Sequence, residues 1–318
     1  MRVISNKLPF KRVRCVATVG VFDGIHLGHQ FILKKVKETA RKKGLAALLI
    51  TFDIPPQQFL SKKNLLHHRR PEKAFTGSLT ARDEKTALIS SLGIDYLWFL
   101  KTKKSLLSLS ARDFINYIQR YFKIEKLIVG DDFRFGHRGR GDLRRLKLLA
   151  NEHRFELSII KKKANNKKVI SSSLIRKLIQ KGQLKEVKQL LGRNFSLRGR
   201  VFKGKGRGLR LGFPTANIFA SDYVMPACAV YAASVVLEKK IYLAAVNIGL
   251  RPTFCKIKGP IIEAHILNLK KNILGKIIKI VFLEKIRKEK KFSSSKDLKI
   301  AIGKDIKYVT AKYSAFLA

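Results

Sequence analysis

The stretch Thr18–Gln30, TVGVFDGIHLGHQ, constrains this chain more than any other. Its apolar half reads as a strand over Val16–Val21, Asp23-Gly24 as a turn, and the rest as the start of a helix running from about Leu27 to Lys43. Leu33, Val36 and Ala40 recur at three- and four-residue steps, the spacing of one buried helix face. His26 and His29 are three apart where the helix begins, so they share a face. Free N–H groups and the positive dipole end favour an anion there. Two imidazoles and backbone donors at a strand end make a candidate phosphate cradle, and Gly20, Gly24 and Gly28 leave room for close approach. Two other readings stand beside it: histidines that cap and pack, or a metal pair lacking the nearby Cys or carboxylate that would complete it.

Beyond this stretch, apolar runs alternate with helical patterns. Leu45–Phe52 reads as a buried strand, Arg82–Leu92 as a helix closed by Gly93, and Tyr96–Leu100 as a short strand. A helix from Ser110 to Phe122, capped with Asp113 three residues on, precedes the strand Leu127–Gly130. The helix Leu143–Glu152 and the strand Leu157–Ile160 follow. Such alternation predicts an α/β domain with a parallel sheet, whose ligands sit at the carboxyl ends of the strands. Lys161–Lys168 reads as a solvated loop. Ser171, Ser172 and Ser173 open a helix to about Gln180, either as caps or, with Arg176, as phosphate donors.

After the helix Leu184–Leu191 and Gly192 the pattern changes. Strands are expected at Ser196–Phe202, Ala229–Leu237, Ile241–Ile248, Ile261–Leu267 and Lys276–Phe282, with a helix over about Ser294–Ile302. That is an all-β grammar, a small antiparallel barrel. The boundary is placed near 185, giving domains 1–185 and 186–318. Between the first two barrel strands lie Gly204, Gly206, Gly208 and Gly212, then Pro214-Thr215-Ala216-Asn217. Glycines this dense let N–H groups turn toward a phosphate, and the Thr215 hydroxyl and Asn217 carbonyl are hard oxygens suited to Mg²⁺.

Charge raises a different possibility. The 318 residues carry 68 Lys plus Arg against 22 Asp plus Glu, a formal +46. Such a field attracts polyanions, yet the lysines are scattered through loops and polar faces, and no nucleic-acid recognition signature is present. Specific nucleic-acid binding is therefore not expected. Three spread cysteines, no apolar leader in the first ten residues and no long apolar run point to a cytoplasmic protein without a membrane partner. Nothing in the sequence fixes an oligomeric state.

The motifs resemble those of a known family. Gly20, Phe22-Asp23-Gly24, His26 and Gly28-His29 fit the GxFDGxHxGH signature of the nucleotidyltransferase superfamily, in its flavin-nucleotide branch. Ile170–Arg176 resembles ISSTxIR with Ser173 in place of Thr, and Gly130–Gly136 resembles GxDFxFG. Gly204–Asn217 resembles the riboflavin kinase signature ending LGFPTAN. Asn247–Phe254 resembles NIGxxPTF and Glu263–His265 resembles ExH. The resemblance implies a prokaryotic bifunctional riboflavin kinase/FAD synthetase with a Rossmann-like domain followed by the barrel.

It further implies ATP, riboflavin and FMN as substrates and Mg²⁺ as cofactor. His26 and His29 would stabilise charge on the α-phosphate, and Ser172, Ser173 and Arg176 would hold the β,γ-phosphates. Phe22, Asp23 and Asp132 would line the nucleotide or flavin. Glu263 would be the kinase base; Thr80 and Glu84, in a segment resembling the family's LTxxEK, would be structural. Two departures stand out: Pro55 replaces the histidine of TFxPHP, and Ala229 replaces the glycine of GVY. They motivate an alternative, a monofunctional riboflavin kinase with an impaired N-terminal domain. A nucleic-acid-binding protein on this scaffold is the third reading.

Overall fold

In the segment Val13–Val19 every residue from Cys15 onward is buried, as a strand covered on both faces demands. The structure, a computed structural model, describes residues 1–4, 12–62, 76–161, 164–165, 168–204, 206–220, 222–250 and 260–316. By inter-residue contacts it divides into two compact units, 1–172 and 173–318.

The first unit runs β1 (Arg2–Ile4), β2 (Val13–Val19), α1 (Leu27–Lys42), β3 (Ala46–Phe52), α2 (Pro56–Lys62) and α3 (Arg82–Ser91). It continues with β4 (Tyr96–Leu100), α4 (Lys104–Leu107), α5 (Ala111–Gln119), β5 (Phe122–Gly130), α6 (Leu143–Glu152) and β6 (Glu156–Ile160). Six strands form one sheet in the order β1-β4-β3-β2-β5-β6, every neighbouring pair parallel. Alternation along the strands feeds two cores. Cys15, Ala17, Val19, Leu48 and Ile50 pack with Phe114, Ile118, Leu146 and Leu149 of α5 and α6. Val16, Ala47, Leu49 and Leu97 pack with Leu33, Val36 and Ala40 of α1 and Ile89 of α3. Each large aliphatic residue buried this way stabilises the fold by about 2 kcal/mol.

Several sequence expectations shift here. The helix opened by Ser110 ends at Gln119, and β5 starts at Phe122 instead of Leu127. Ser110 does cap it, accepting from the Asp113 N–H. Phe122 and Ile124 alternate with exposed or half-buried residues, and pairing with Val13–Cys15 of β2 extends the strand backward. The edge strand β1 is too short to announce itself by pattern, and pairing with β4 creates it. Within Lys161–Lys168, two-residue strands β7 (Ala164–Asn165) and β8 (Lys168–Val169) pair antiparallel, so the segment is not wholly loop.

The second unit holds α7 (Ser172–Gln180) beyond its first residue, then α8 (Leu184–Leu191), β9 (Ser196–Phe202), α9 (Arg207–Arg210), β10 (Ala216–Phe219), β11 (Ala229–Leu237), β12 (Lys240–Leu250), β13 (Pro260–Ile266), β14 (Ile277–Lys288) and α10 (Ser295–Tyr313). The strands close into an antiparallel barrel ordered β10-β13-β12-β11-β14-β9, which leaves no free edge. One strand, β10, falls on residues expected to be loop; pairing on both sides with β9 and β13 makes it a strand. Ala229 lies in β11, fully buried in extended backbone, so the extra methyl is accommodated.

Helix α10 is twice the expected length because its anchors are tertiary. Val309 and Ile306 pack against Ala232, Leu243 and Ala245. Asp305, buried, accepts from Arg287 Nε at 2.9 Å and Nη2 at 2.7 Å. Replacing Asp305 by Ala would strand the guanidinium against the barrel. We expect a loss of about 2–4 kcal/mol in urea unfolding of the barrel unit, and an unchanged midpoint would show the pair to be energetically idle.

Candidate active sites

The segment between β2 and α1 holds strained backbone at two bulky residues. Phe22 and Ile25 take φ of 47° and 39°, with Gly24 at 89° between them. Left-handed backbone at a bulky or β-branched residue costs about 1–3 kcal/mol each and persists only where neighbours fix it. The neighbours are visible. The Val21 carbonyl accepts from Thr51 Oγ1 and from Lys85 Nζ, both at 2.9 Å. The buried Asp23 carboxylate accepts the Leu79 N–H at 3.0 and 3.1 Å. Ser172 Oγ donates to the Asp23 carbonyl at 2.9 Å, and Gln30 Nε2 to the Ile25 carbonyl at 2.9 Å. The strand itself stops at Val19; the two residues expected to extend it belong to this loop.

His26 caps α1: its Nδ1 accepts from the His29 N–H at 3.3 Å, which leaves the His26 proton on Nε2. Its ring stacks on His29 with centroids 3.6 Å apart, and the Phe22 ring lies tilted against His29 at 4.7 Å. Capping and site geometry are thus the same arrangement. The glycines serve it directly: a Cβ on Gly28 would sit 3.2 Å from the His26 ring, and one on Gly20 would sit 3.1 Å from the Phe22 ring. Burial, then the neighbouring His26 and Lys85, holds His29 well below the ordinary imidazole range, and its buried Nδ1 has no partner among the described residues. The stacked pair therefore offers N–H dipoles and helix amides to an anion, with no charge on His29. Among the described residues no three His, Cys, Asp or Glu side chains converge as a metal site.

Other candidates fall around or apart from this loop. Asp132 is exposed just past the end of β5, and a Cβ on Gly130 would sit 3.2 Å from its Oδ1. Phe133 and Phe135 stack at 5.3 Å and join the core with Phe114. Ser173 and Arg176 lie three apart on α7 in the second unit, Ser173 exposed and Arg176 half-buried. Pro55 immediately precedes α2, its carbonyl accepting from the Phe59 N–H at 3.1 Å. Lys85 closes the segment that resembles LTxxEK and carries no role of its own there, yet it is buried and donates to the Val21 carbonyl. A signal existed: it lies four residues before Ile89, on the buried stripe of α3.

In the barrel, cross-strand register assembles the second site. Asn217 of β10 pairs with Glu263 of β13, and Glu263 pairs in turn with Asn247 of β12. Paired residues share a face, so the three side chains form one polar row. Asn217 is buried, and its Oδ1 has no partner among the described residues. The glycine-rich loop folds over this row. A Cβ on Gly204 would lie 2.0 Å from Asn217 Nδ2, and one on Gly208 would lie 2.8 Å from Thr215 Oγ1. Gly206 and Gly212 turn the loop at φ of 71° and 86°. The Pro214 carbonyl lies 2.8 Å from His265 Nδ1, tying Thr215 to β13. Lys205 and Arg251–Phe254, the latter part of the NIGxxPTF stretch, lie outside the described residues.

An open parallel sheet with an anion-suited loop at its strand ends, followed by a closed barrel with a covered polar row, defines a two-module nucleotide-handling enzyme. Residues 9–174 match the FAD synthetase family and residues 191–313 the riboflavin kinase family. The chain is 35% identical to the bifunctional riboflavin kinase/FMN adenylyltransferase of Buchnera aphidicola subsp. Acyrthosiphon pisum, over 98% of both chains. It is 32% identical to that of Escherichia coli K12, covering 96% of this chain and 95% of the other. It belongs to the bifunctional riboflavin kinase/FMN adenylyltransferase family. A crystal structure described as a macrolide-efflux protein from Streptococcus pneumoniae shares the fold, with a TM-score of 0.81 at 27% identity over 96% of this chain and 98% of the other. Among the described residues no helix is long and apolar enough to cross a membrane.

Proposed function

We propose that residues 186–318 phosphorylate riboflavin to FMN with ATP, and residues 1–185 adenylylate FMN to FAD with release of pyrophosphate. The observation that carries this reading is the Asn217–Glu263–Asn247 row beneath the glycine loop, in a chain that also holds the His26/His29 loop. In the kinase, Glu263 takes the proton of the ribityl hydroxyl as its oxygen attacks the γ-phosphorus and ADP leaves. Gly204, Gly206, Gly208, Gly212 and Pro214 shape the loop that receives the ATP phosphates. The Asn217 Oδ1, without a partner among the described residues, and the Thr215 hydroxyl suit a hard cation, so these residues would hold Mg²⁺, which would supply charge neutralisation between the phosphates.

In the adenylyltransferase, the FMN phosphate attacks the α-phosphorus in line. Nε2–H of His26, His29 and the α1 amides face the charge that builds there. Asp23 and Gly24 hold that loop's shape. Ser172 fixes it, Ser173 and Arg176 serve the β,γ-phosphates, and Asp132 lines the nucleotide or flavin. We place the protein in the cytoplasm and assign no specific nucleic-acid partner, because its lysines form no defined stripe.

Incubating the purified chain with riboflavin, Mg²⁺ and ATP and separating products by HPLC tests both halves. FMN followed by FAD is the expected result. FMN alone would favour the monofunctional reading that Pro55 motivates, and neither product from folded protein would defeat the proposal.

A further inference from the structure

Among the described residues, Lys85 is a buried cation in the anchorage of the loop between β2 and α1, and the proposed reaction assigns it no part. Lys85 is 5% exposed, and its Nζ reaches the Val21 carbonyl at 2.9 Å. The Thr51 hydroxyl already satisfies that carbonyl, so the ammonium is not needed to rescue a lone acceptor. A buried ammonium costs far more than a buried hydroxyl, and a methionine would fill the same space. Meanwhile His29 is held neutral, chiefly by burial, and the His26 ring stacked on it accepts through Nδ1. Adenylyl transfer gathers negative charge at the α-phosphorus, and a fixed cation close to neutral donors favours that charge.

We propose that Lys85 is a positioning residue for adenylyl transfer, holding the Val21–Ile25 loop in shape and supplying beneath it the positive charge that the neutral His29 does not. The inference rests on the reading of the His26/His29 loop as the adenylyl-transfer site. Among the described residues, the charged and titratable groups that act on Lys85 or on which it acts are Asp23 from the loop, Arg82 from its own helix, and His29 from α1, whose proton affinity it lowers. Burial brings the Lys85 ammonium down to about 8, with Asp23 opposing and Arg82 adding to the fall. The cation is therefore present below about pH 8 and lost as the pH rises through it. FAD formation should fall over the same interval.

The test uses the full chain and measures FAD formation from FMN and ATP between about pH 6 and pH 10. The variants are Lys85→Met, Lys85→Arg and, as a reference for the site itself, His26→Asn. Riboflavin phosphorylation by the same samples reports on folding of the rest of the chain. Lys85→Met is expected to lower kcat about 100-fold with KM for both substrates nearly unchanged. Lys85→Arg should retain the rate and carry the alkaline fall to higher pH, an effect that a purely structural lysine would not produce.

A parent-like rate in Lys85→Met, or a fall near pH 8 that persists in Lys85→Arg, overturns the proposal. If Lys85→Met does not fold, the comparison of parent with Lys85→Arg still decides. If His26→Asn is impaired while both Lys85 variants match the parent, Lys85 alone was misjudged. If His26→Asn also matches the parent, the reading of the site has failed and this inference with it.

Discussion

Glu263→Gln is expected to slow riboflavin phosphorylation by about 10³-fold while FMN-to-FAD conversion proceeds at the parent rate. The substitution keeps volume and hydrogen-bonding capacity, and residue 263 sits mid-strand between β10 and β12, whose main chains fix β13 on both sides. The barrel should fold unchanged. What the amide cannot do is take a proton. Its neighbours in the row, Asn217 and Asn247, are also amides and cannot substitute for it. The measurement is kcat and KM for riboflavin beside FAD formation from supplied FMN, in one preparation. Loss confined to kcat marks a base; loss confined to KM would mean that Glu263 only binds substrate. An unimpaired kinase would remove it from the reaction and leave the polar row without a proton acceptor.

How much of this was legible beforehand follows from which forces act locally. The strand-turn-helix at Val16–Gln30, the alternating α/β order and the switch to antiparallel strands after Gly192 are set by nearest-neighbour patterning, and the sequence shows them. The same holds for His26 and His29, whose spacing and glycine neighbours stand in one short motif. The misses were tertiary. β10 exists because β9 and β13 flank it, and β5 reaches back to Phe122 because β2 offers a partner. Helix α10 runs past Gly303 because Arg287 and the barrel hold it. At the sites, the sequence named Asn217 and Glu263 but could not show that they face each other across a strand pair. Nor could it show that Gly20 and Gly28 clear space for rings of their own loop. Lys85 was least visible, because a lysine on a helix reads as solvated until the fold buries it.

The sharpest separation of packing from chemistry in the first unit comes from His26→Asn, for which we expect FAD formation to drop about 10²–10³-fold. His26 does two things at once. It caps α1 through Nδ1, and it presents Nε2–H beside the stacked His29. Asparagine is among the strongest helix caps, so its side-chain oxygen can accept the His29 N–H and spare the roughly 1 kcal/mol that alanine would lose. The loop's other anchors, at Val21, Asp23 and Ile25, do not involve the His26 side chain and remain in place. Melting temperature and riboflavin phosphorylation should therefore hold while adenylyl transfer fails. The variant also uncovers His29, which loses both a stacking partner and some of its burial. The proton affinity of His29 should recover toward the ordinary imidazole value, so the residual rate should become sensitive to acid where the parent is not. Undiminished FAD formation would mean that the α1 amides and the loop backbone suffice without the imidazole, and the histidine stack would then be a cap and nothing more.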